Sequence, residues 1–272
     1  MHAVLGIRGE PGRPGDPAKG VVWTSIIEHI NESNWVDNWI SVTDIDRTLL
    51  STHPWTLGGG GSLQVLQSIE AASVVTARTH IGRAGFFGIT GFDELALADR
   101  ATFRRWGVHE EFTKVHVAGD EVRDWTISPS EDIWYPYNER HLLPPYEAGA
   151  AVFLWPHRTH LGARKTFSGE TYTESGRPWW SWHQLPDDAG LHTWVIAWSQ
   201  VATHGHFAIG RKPWAFNSTA TIMRLQQNAT EDLHSGIAAL LNSSTGCFWL
   251  KQHSQDKPSN GVKRGYESEA WT

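Results

Sequence analysis

Apolar residues along this chain recur at helical spacing in some stretches and alternate or run together in others, and the order of these stretches predicts its elements. Trp23, Ile26, Ile27 and Ile30 fall at helical spacing, and Leu63, Leu66 and Ile69 recur every third residue behind a loop-and-hinge run of glycines at 58–61. Another helix is predicted over residues 94–106. Residues 114–117 and 124–127 alternate like strands. The unbroken apolar run 150–155 reads as a buried strand, followed by a helix over 157–167 that sets Arg158 and Lys165 on one face. Trp194, Ile196 and Trp198 alternate with their neighbours in a strong strand pattern, and 203–209 and 220–225 predict further strands. The clearest helix starts at Thr230, a capping residue, with Glu231 and Asp232 at its positive end and Leu233, Ile237, Leu240 and Leu241 in one stripe. It is interrupted over 242–246. The expected fold class is α+β: a curved mixed or antiparallel sheet with flanking helices over 76–272, preceded by a small helical connector at 21–75 and a Pro/Gly-rich linker at 1–20.

Composition narrows the classes. A length of 272 residues suits one large domain or two small ones, and 40% hydrophobic with 19% charged residues excludes wholesale disorder. Three Gly-X-Y triplets starting at Gly9 end at Ala18, too few for a collagen helix. No apolar run approaches the ~18 residues of a membrane helix, and the first residues lack the layout of a secretory signal, so a cytoplasmic protein without a membrane partner is expected. The single cysteine, Cys247, excludes an internal disulfide and a multi-cysteine zinc site. Sixteen tryptophans suit either a large core or a stacking surface for sugars or bases. The net charge of −6 is unevenly spread: residues 1–149 carry 12 Lys and Arg against 20 Asp and Glu, whereas 150–272 carry 11 against 9. A locally basic, aromatic segment between Trp155 and Leu225 is the pattern to test for nucleic acid.

Candidate chemistry is sparse. His157 with His160, and His204 with His206, have chelating spacing that His183, Asp187 or Asp188 could complete, but with 15 histidines such pairs arise by chance and no metal is expected. There is no Gly-x-Ser-x-Gly elbow, the 58–61 glycines lack a following Gly-Lys-Ser/Thr, and Glu170 with Glu174 is an unremarked carboxylate pair. Leu143-Pro-Pro-Tyr146 mimics the Asn-Pro-Pro-Tyr loop of amino methyltransferases, yet leucine cannot accept a hydrogen bond from a flipped base's amine. What remains is a surface in which Arg158, Arg164, Lys165, Arg177, Arg211 and Lys212 mix with Trp179, Trp180, Trp182 and His183. Such a mixture fits a groove that follows phosphates; it fits equally a core rim in which arginines cover tryptophan faces.

Several phrases together resemble a family: His53-Pro-Trp-Thr-Leu-Gly-Gly-Gly-Gly61, Trp134-Tyr-Pro-Tyr137, Leu161-Gly-Ala-Arg-Lys-Thr-Phe167, Gly176-Arg-Pro-Trp-Trp-Ser-Trp-His-Gln184, Ala202-Thr-His-Gly-His-Phe207 and the segment from Leu240 to Gln252. Their order resembles the C-terminal target-recognition region of adenine-specific DNA methyltransferases of the BREX phage-defence type, relatives of single-chain restriction-modification methyltransferases. The resemblance implies that 76–272 is a DNA target-recognition domain, separate from the methyltransferase domain that holds S-adenosylmethionine, so that this chain carries no cofactor and no catalytic residue. It implies double-stranded DNA, that methyltransferase domain and other phage-defence proteins as partners. Under this reading Arg158, Arg164, Lys165, Arg211 and Lys212 hold the DNA backbone. Arg83, Thr90, Arg177, His183, Thr203, His204 and Asn217 are the candidates to reach base edges. Two other classes stay open: a tryptophan-rich carbohydrate-binding module or glycosidase, and a protein-interaction module.

Overall fold

The computed structural model describes residues 1–51, 55–137, 152–189, 191–211, 214–256 and 269–270. The chain divides into two units, Met1–Thr76 with Phe248–Ser254, and Ala77–Cys247 with Gln255–Thr272.

In the first unit the residues read as a linker begin with a strand. β1 (His2–Gly6) pairs antiparallel with β3 (Ile40–Asp44), whose other edge takes β2 (Trp35–Val36). Hence 21–75 is not only helical: a three-stranded sheet is built around β3, the one strand here with three consecutive buried residues, Ile40, Ser41 and Val42. Helix α1 (Val21–His29) starts at Gly20, which has no side chain to cap it; both oxygens of Glu10 do so instead, accepting from Val21 N at 2.8 Å and Val22 N at 2.9 Å. Helix α2 (Ser62–Ala72) follows the glycine run as expected. That run is packed rather than hinge-like: Gly59 N donates to Gly6 O at 2.8 Å, and a Cβ on Gly59 would lie 2.8 Å from Leu5 O and from Ser41 Oγ.

The second unit holds two four-stranded sheets. In chain order its elements are β4 (Ile81–Gly85), α3 (Asp93–Ala96), β5 (Leu97–Ala98), α4 (Arg100–Arg105), β6 (Thr113–Val117), β7 (Val122–Arg123), β8 (Thr126–Ile127), β9 (Asp132–Trp134), α5 (Arg158–Gly162), β10 (Trp194–Ser199), β11 (Val201–Ala202), β12 (Ala208–Arg211), β13 (Trp214–Phe216), β14 (Ala220–Leu225) and α6 (Glu231–Asn242). They are followed by α7 (Ser244–His253), whose residues from Phe248 on belong to the first unit, and by β15 (Gln255–Asp256) and β16 (Glu269–Ala270). One sheet, β12-β10-β14-β4, is antiparallel throughout; the other, β13-β6-β9-β5, is mixed, because β13 runs parallel to β6. Residues of both sheets share one core with Phe87, Phe103, Leu154, Leu161 and Trp182, so the α+β class holds. No helix among the described residues is long and apolar enough to cross a membrane.

Several local expectations change. Helix 94–106 is broken into α3, β5 and α4, with Asp99 capping the last piece by accepting from Thr102 N at 2.8 Å. Residues 124–127 do not form one strand, because Asp124 and Trp125 are the turn between β7 and β8. Residues 152–157 form a 3-10 turn in which only Leu154 is buried, and residues 150–151 lie outside the described residues. The helix expected over 157–167 ends at Gly162, so Arg158 and Lys165 do not share a helical face. The strand expected at 203–209 begins only at Ala208. Strands 114–117, 194–198 and 220–225 and the helix capped by Thr230 lie where the pattern put them.

Candidate nucleic-acid interface

The segment 155–184 is organised by arginines that turn inward. Where α5 stops, Arg164 directs its guanidinium to main-chain oxygens: Nε to Leu161 at 3.0 Å, Nη1 to Thr90 at 2.9 Å, and Nη2 to Trp179 at 2.7 Å and Ser181 at 3.0 Å. The guanidinium carbon also lies 4.3 Å from the ring centroid of Tyr172 and 4.6 Å from that of Phe92. Arg177 covers Tyr172 at 4.6 Å and donates to Ser181 Oγ and to the carbonyls of Trp182 and His183. Tyr172 is fully buried, and its hydroxyl meets His183 Nδ1 at 3.1 Å. Burial and the two neighbouring guanidinium groups hold the His183 pKa below the ordinary imidazole value. Arg164 and Arg177, expected at phosphate and base respectively, are therefore the pins of this segment: their donors replace the sheet and helix bonds that a loop lacks. Thr90 is also buried, accepting from Phe92 N at 3.0 Å and bonding Asp93, and is not free to read a base.

Other cations face outward. Arg158 is exposed over the Trp155 ring at 4.4 Å, and Lys165 is exposed beside the Lys165–Thr171 bridge. Arg211 lies 4.3 Å over Trp194 and bonds Glu231 at 3.0 Å. Lys212 lies outside the described residues. Arg83, half exposed on β4, bonds Asp188 at 3.0 Å, and the same carboxylate meets Arg224 of β14 at 3.4 Å. Thr203 and His204 are exposed and bonded to each other at 2.9 Å. Asn217 shapes the turn into β14, its Oδ1 accepting from Thr219 N, Thr219 Oγ1 and Ala220 N. Glu174 closes a turn by accepting from Thr171 N and Oγ1, both at 2.8 Å, and Glu170 accepts from Ser168 Oγ; neither is posed against the other. No group of three or more histidines, cysteines or carboxylates that could hold a metal lies together among the described residues.

One further feature had no signal in the apolar pattern. Asp124 (φ 48°) and Trp125 (φ 63°) both adopt the left-handed conformation of a two-residue hairpin turn, a position that usually takes Asn-Gly or Asp-Gly. For a bulky side chain this is an outlier, and the Trp125 ring is 66% exposed. Asp124 N donates to Nδ1 of His206 at 3.2 Å, which requires that nitrogen to be unprotonated; burial, aided by Arg123, accordingly lowers the His206 pKa. The sequence hint was Arg-Asp-Trp-Thr between two alternating pairs, but with no glycine to announce the turn.

A cavity of about 330 Å³ in the first unit has Asp44 and Asp46 in its lining; His2 and Ser33 engage the two oxygens of Asp44, and Thr48 N donates to Oδ1 of Asp46.

No family model matches the chain. Over nearly its whole length it is similar to part of an adenine-specific methyltransferase. That relative is the adenine-specific methyltransferase PglX of Streptomyces coelicolor, 42% identical over 265 residues, which are 96% of this chain and 22% of PglX. The similarity bears out the resemblance read from the motifs, and the chain spans about a fifth of that relative's length.

Proposed function

We propose that this chain contributes duplex-DNA recognition to adenine-specific methylation, as the specificity part of a phage-defence methyltransferase whose catalytic domain supplies S-adenosylmethionine and the chemistry. The observation that carries the reading is the 42% identity to part of an adenine-specific methyltransferase. The second unit supports it: once Arg164 and Arg177 are set aside as internal pins, Arg83, Arg158, Lys165 and Arg211 remain as outward cations on a well-packed body. Phosphates positioned by these groups would present base edges to Thr203, His204 and the Asn217 amide nitrogen, and the exposed Trp125 ring offers a stacking face.

The test is a duplex-binding titration across salt concentrations. Contact with about four phosphates gives a slope of log affinity against log salt of about −4. Arg158→Ala together with Lys165→Ala reduces that slope by about 2 and weakens binding to all sequences alike. Salt-independent binding, or none at all by the chain joined to its catalytic domain, rejects the reading.

A further inference from the structure

We infer that the cleft beside Arg224, between the two four-stranded sheets, is a phosphate site that seats one oxygen of the group. For its chemistry the inference stands alone; that the phosphate comes from a duplex backbone rests on the reading above.

Arg224 is 1% exposed near the end of β14, an apolar strand, in register with Arg83 of β4. One carboxylate serves both guanidinium groups. Asp188 meets Arg83 at 3.0 Å and Arg224 Nε at 3.4 Å, and Arg224 Nη2 reaches Phe86 O at 3.4 Å, both Arg224 contacts being long for a charged donor. Arg224 Nη1 is buried and has no hydrogen-bond partner among the described residues. A buried guanidinium nitrogen with no acceptor carries a desolvation cost that an anion or a water relieves.

A cavity of about 20 Å³ lies at this point, with Lys114, His192, Thr193, Arg211 and Arg224 in its lining and Phe87 among its apolar walls. No Asp or Glu is among those lining residues. Lys114 is held 4.5 Å over Tyr135 and Arg211 4.3 Å over Trp194, so ring faces position two of the cations, and Arg211 also bonds Glu231 at 3.0 Å. The carboxylates nearest in bonding terms, Asp188 and Glu231, stay outside the lining. The volume admits one water or one oxygen atom, while Thr193 and Arg211 are exposed and connect the cleft to the surface. An oxyanion that inserts a single oxygen and leaves its remaining bulk at the rim, among Lys114 and Arg211, fits these dimensions. A phosphate or phosphodiester is such a group.

Titration of the nitrogen-15-labelled chain with inorganic phosphate, at ionic strength held constant with chloride, reads the site through the Arg224 Nε–Hε resonance. Saturable shifts are expected, unaltered by Arg47→Gln in the other unit. Because Arg224→Gln removes a partner of Asp188 and can unfold the sheet, the decisive variant is Thr193→Glu, which places a carboxylate at the mouth and weakens phosphate binding by about tenfold or more. A response to phosphate no greater than to chloride, or one unchanged in Thr193→Glu, overturns the inference: one water then fills the cavity. Duplex DNA separates the two proposals. Competition by duplex for the phosphate signal, with a salt slope shallower by about 0.9 in Thr193→Glu, assigns the phosphate to the DNA backbone. Saturable phosphate binding with no duplex binding keeps the site for free phosphate and rejects the DNA reading; duplex binding whose slope Thr193→Glu leaves alone, with no phosphate response, rejects only the site.

Discussion

The two units of this chain reach order by different means. The first has few buried apolar residues, Ile40, Val42, Ile45 and Leu66 among those described, and leaves Trp23, Ile27, Val36 and Leu57 exposed. It is held by main-chain devices: a glutamate capping a distant helix, a glycine packed on a strand, and Asp37 accepting from Trp39 N at 2.7 Å and Ile40 N at 2.8 Å. In the second, a continuous aromatic and aliphatic core supports both sheets, and arginines stitch a loop segment to it through ring faces and carbonyls. The difference teaches that the basic residues of one segment are not interchangeable. Arg158 and Arg164 stand six positions apart; one meets solvent over a tryptophan and the other builds the scaffold that presents it.

The sharpest way to break this contrast is to empty the core. Trp182 is 1% exposed and donates through Nε1 to Trp134 O at 2.8 Å, so Trp182→Ala costs about 3–5 kcal/mol in guanidinium unfolding. Trp23→Ala, at a ring 48% exposed in the first unit, changes stability by no more than about 0.5 kcal/mol. Equal costs would abolish the distinction between the units. Next in size is the pair of arginines. Arg164→Met strands carbonyls of Thr90, Trp179 and Ser181 and loses about 1–3 kcal/mol, whereas Arg158→Ala leaves the unfolding midpoint nearly unchanged and reduces the duplex-binding salt slope by about 0.9. A stability loss in Arg158→Ala matching that of Arg164→Met would contradict the division into pins and contacts.

Trp125→Gly should move the other way. Relief of the left-handed conformation stabilises the second unit by about 1 kcal/mol, read as a raised midpoint, while duplex affinity falls if the exposed ring stacks on a base. A lowered midpoint would mean that the ring packs more than its exposure implies.

The smallest effect is that of acid, which lowers the stability of both units but in different pH windows. His116, buried on β6, has its pKa lowered by burial, against the pull of Glu121 and Asp93. The unfolded chain therefore binds the proton first, and the second unit loses stability as pH falls below about 6.5, the ordinary histidine value. Asp37 in the first unit is pushed up by burial but more strongly down by hydrogen bonds from Ser25, Ile40 and Trp39, to about 2. Its contribution is fully present above the ordinary carboxylate value of 3.8 and disappears as pH falls toward 2. Amide protection factors should therefore fall at Val117 as pH drops below 6.5, and at Ile40 only as it drops below 3.8. A simultaneous fall at both would show that these two groups do not govern the acid response.

Much of the element order could be read from the chain because the relevant forces are local. Thr230 caps α6 by accepting from Leu233 N, and the alternating pattern of 194–198 becomes a strand buried along most of its length. The helix expected at 157–167 fails because Arg164 finds Thr90, Trp179 and Ser181, partners remote in sequence that periodicity cannot register. Among the site residues, Arg158, Lys165 and Arg211 lie outward, whereas Arg224, which falls in the same basic segment, is buried, and Lys114 and Trp125 had no place in that reading. An arginine inside the apolar run of β14 was the one available sign of a buried charge.

By itself the sequence determined the α+β class, the strongest strands and helices and the similarity to part of an adenine-specific methyltransferase, because these depend on the periodicity of neighbours and on the identity and order of residues. Only the tertiary structure decided which arginines became scaffold and which stayed at the surface. A guanidinium's role is fixed by the carbonyls, rings and carboxylates within a few ångströms of it, and those come from parts of the chain far away in sequence.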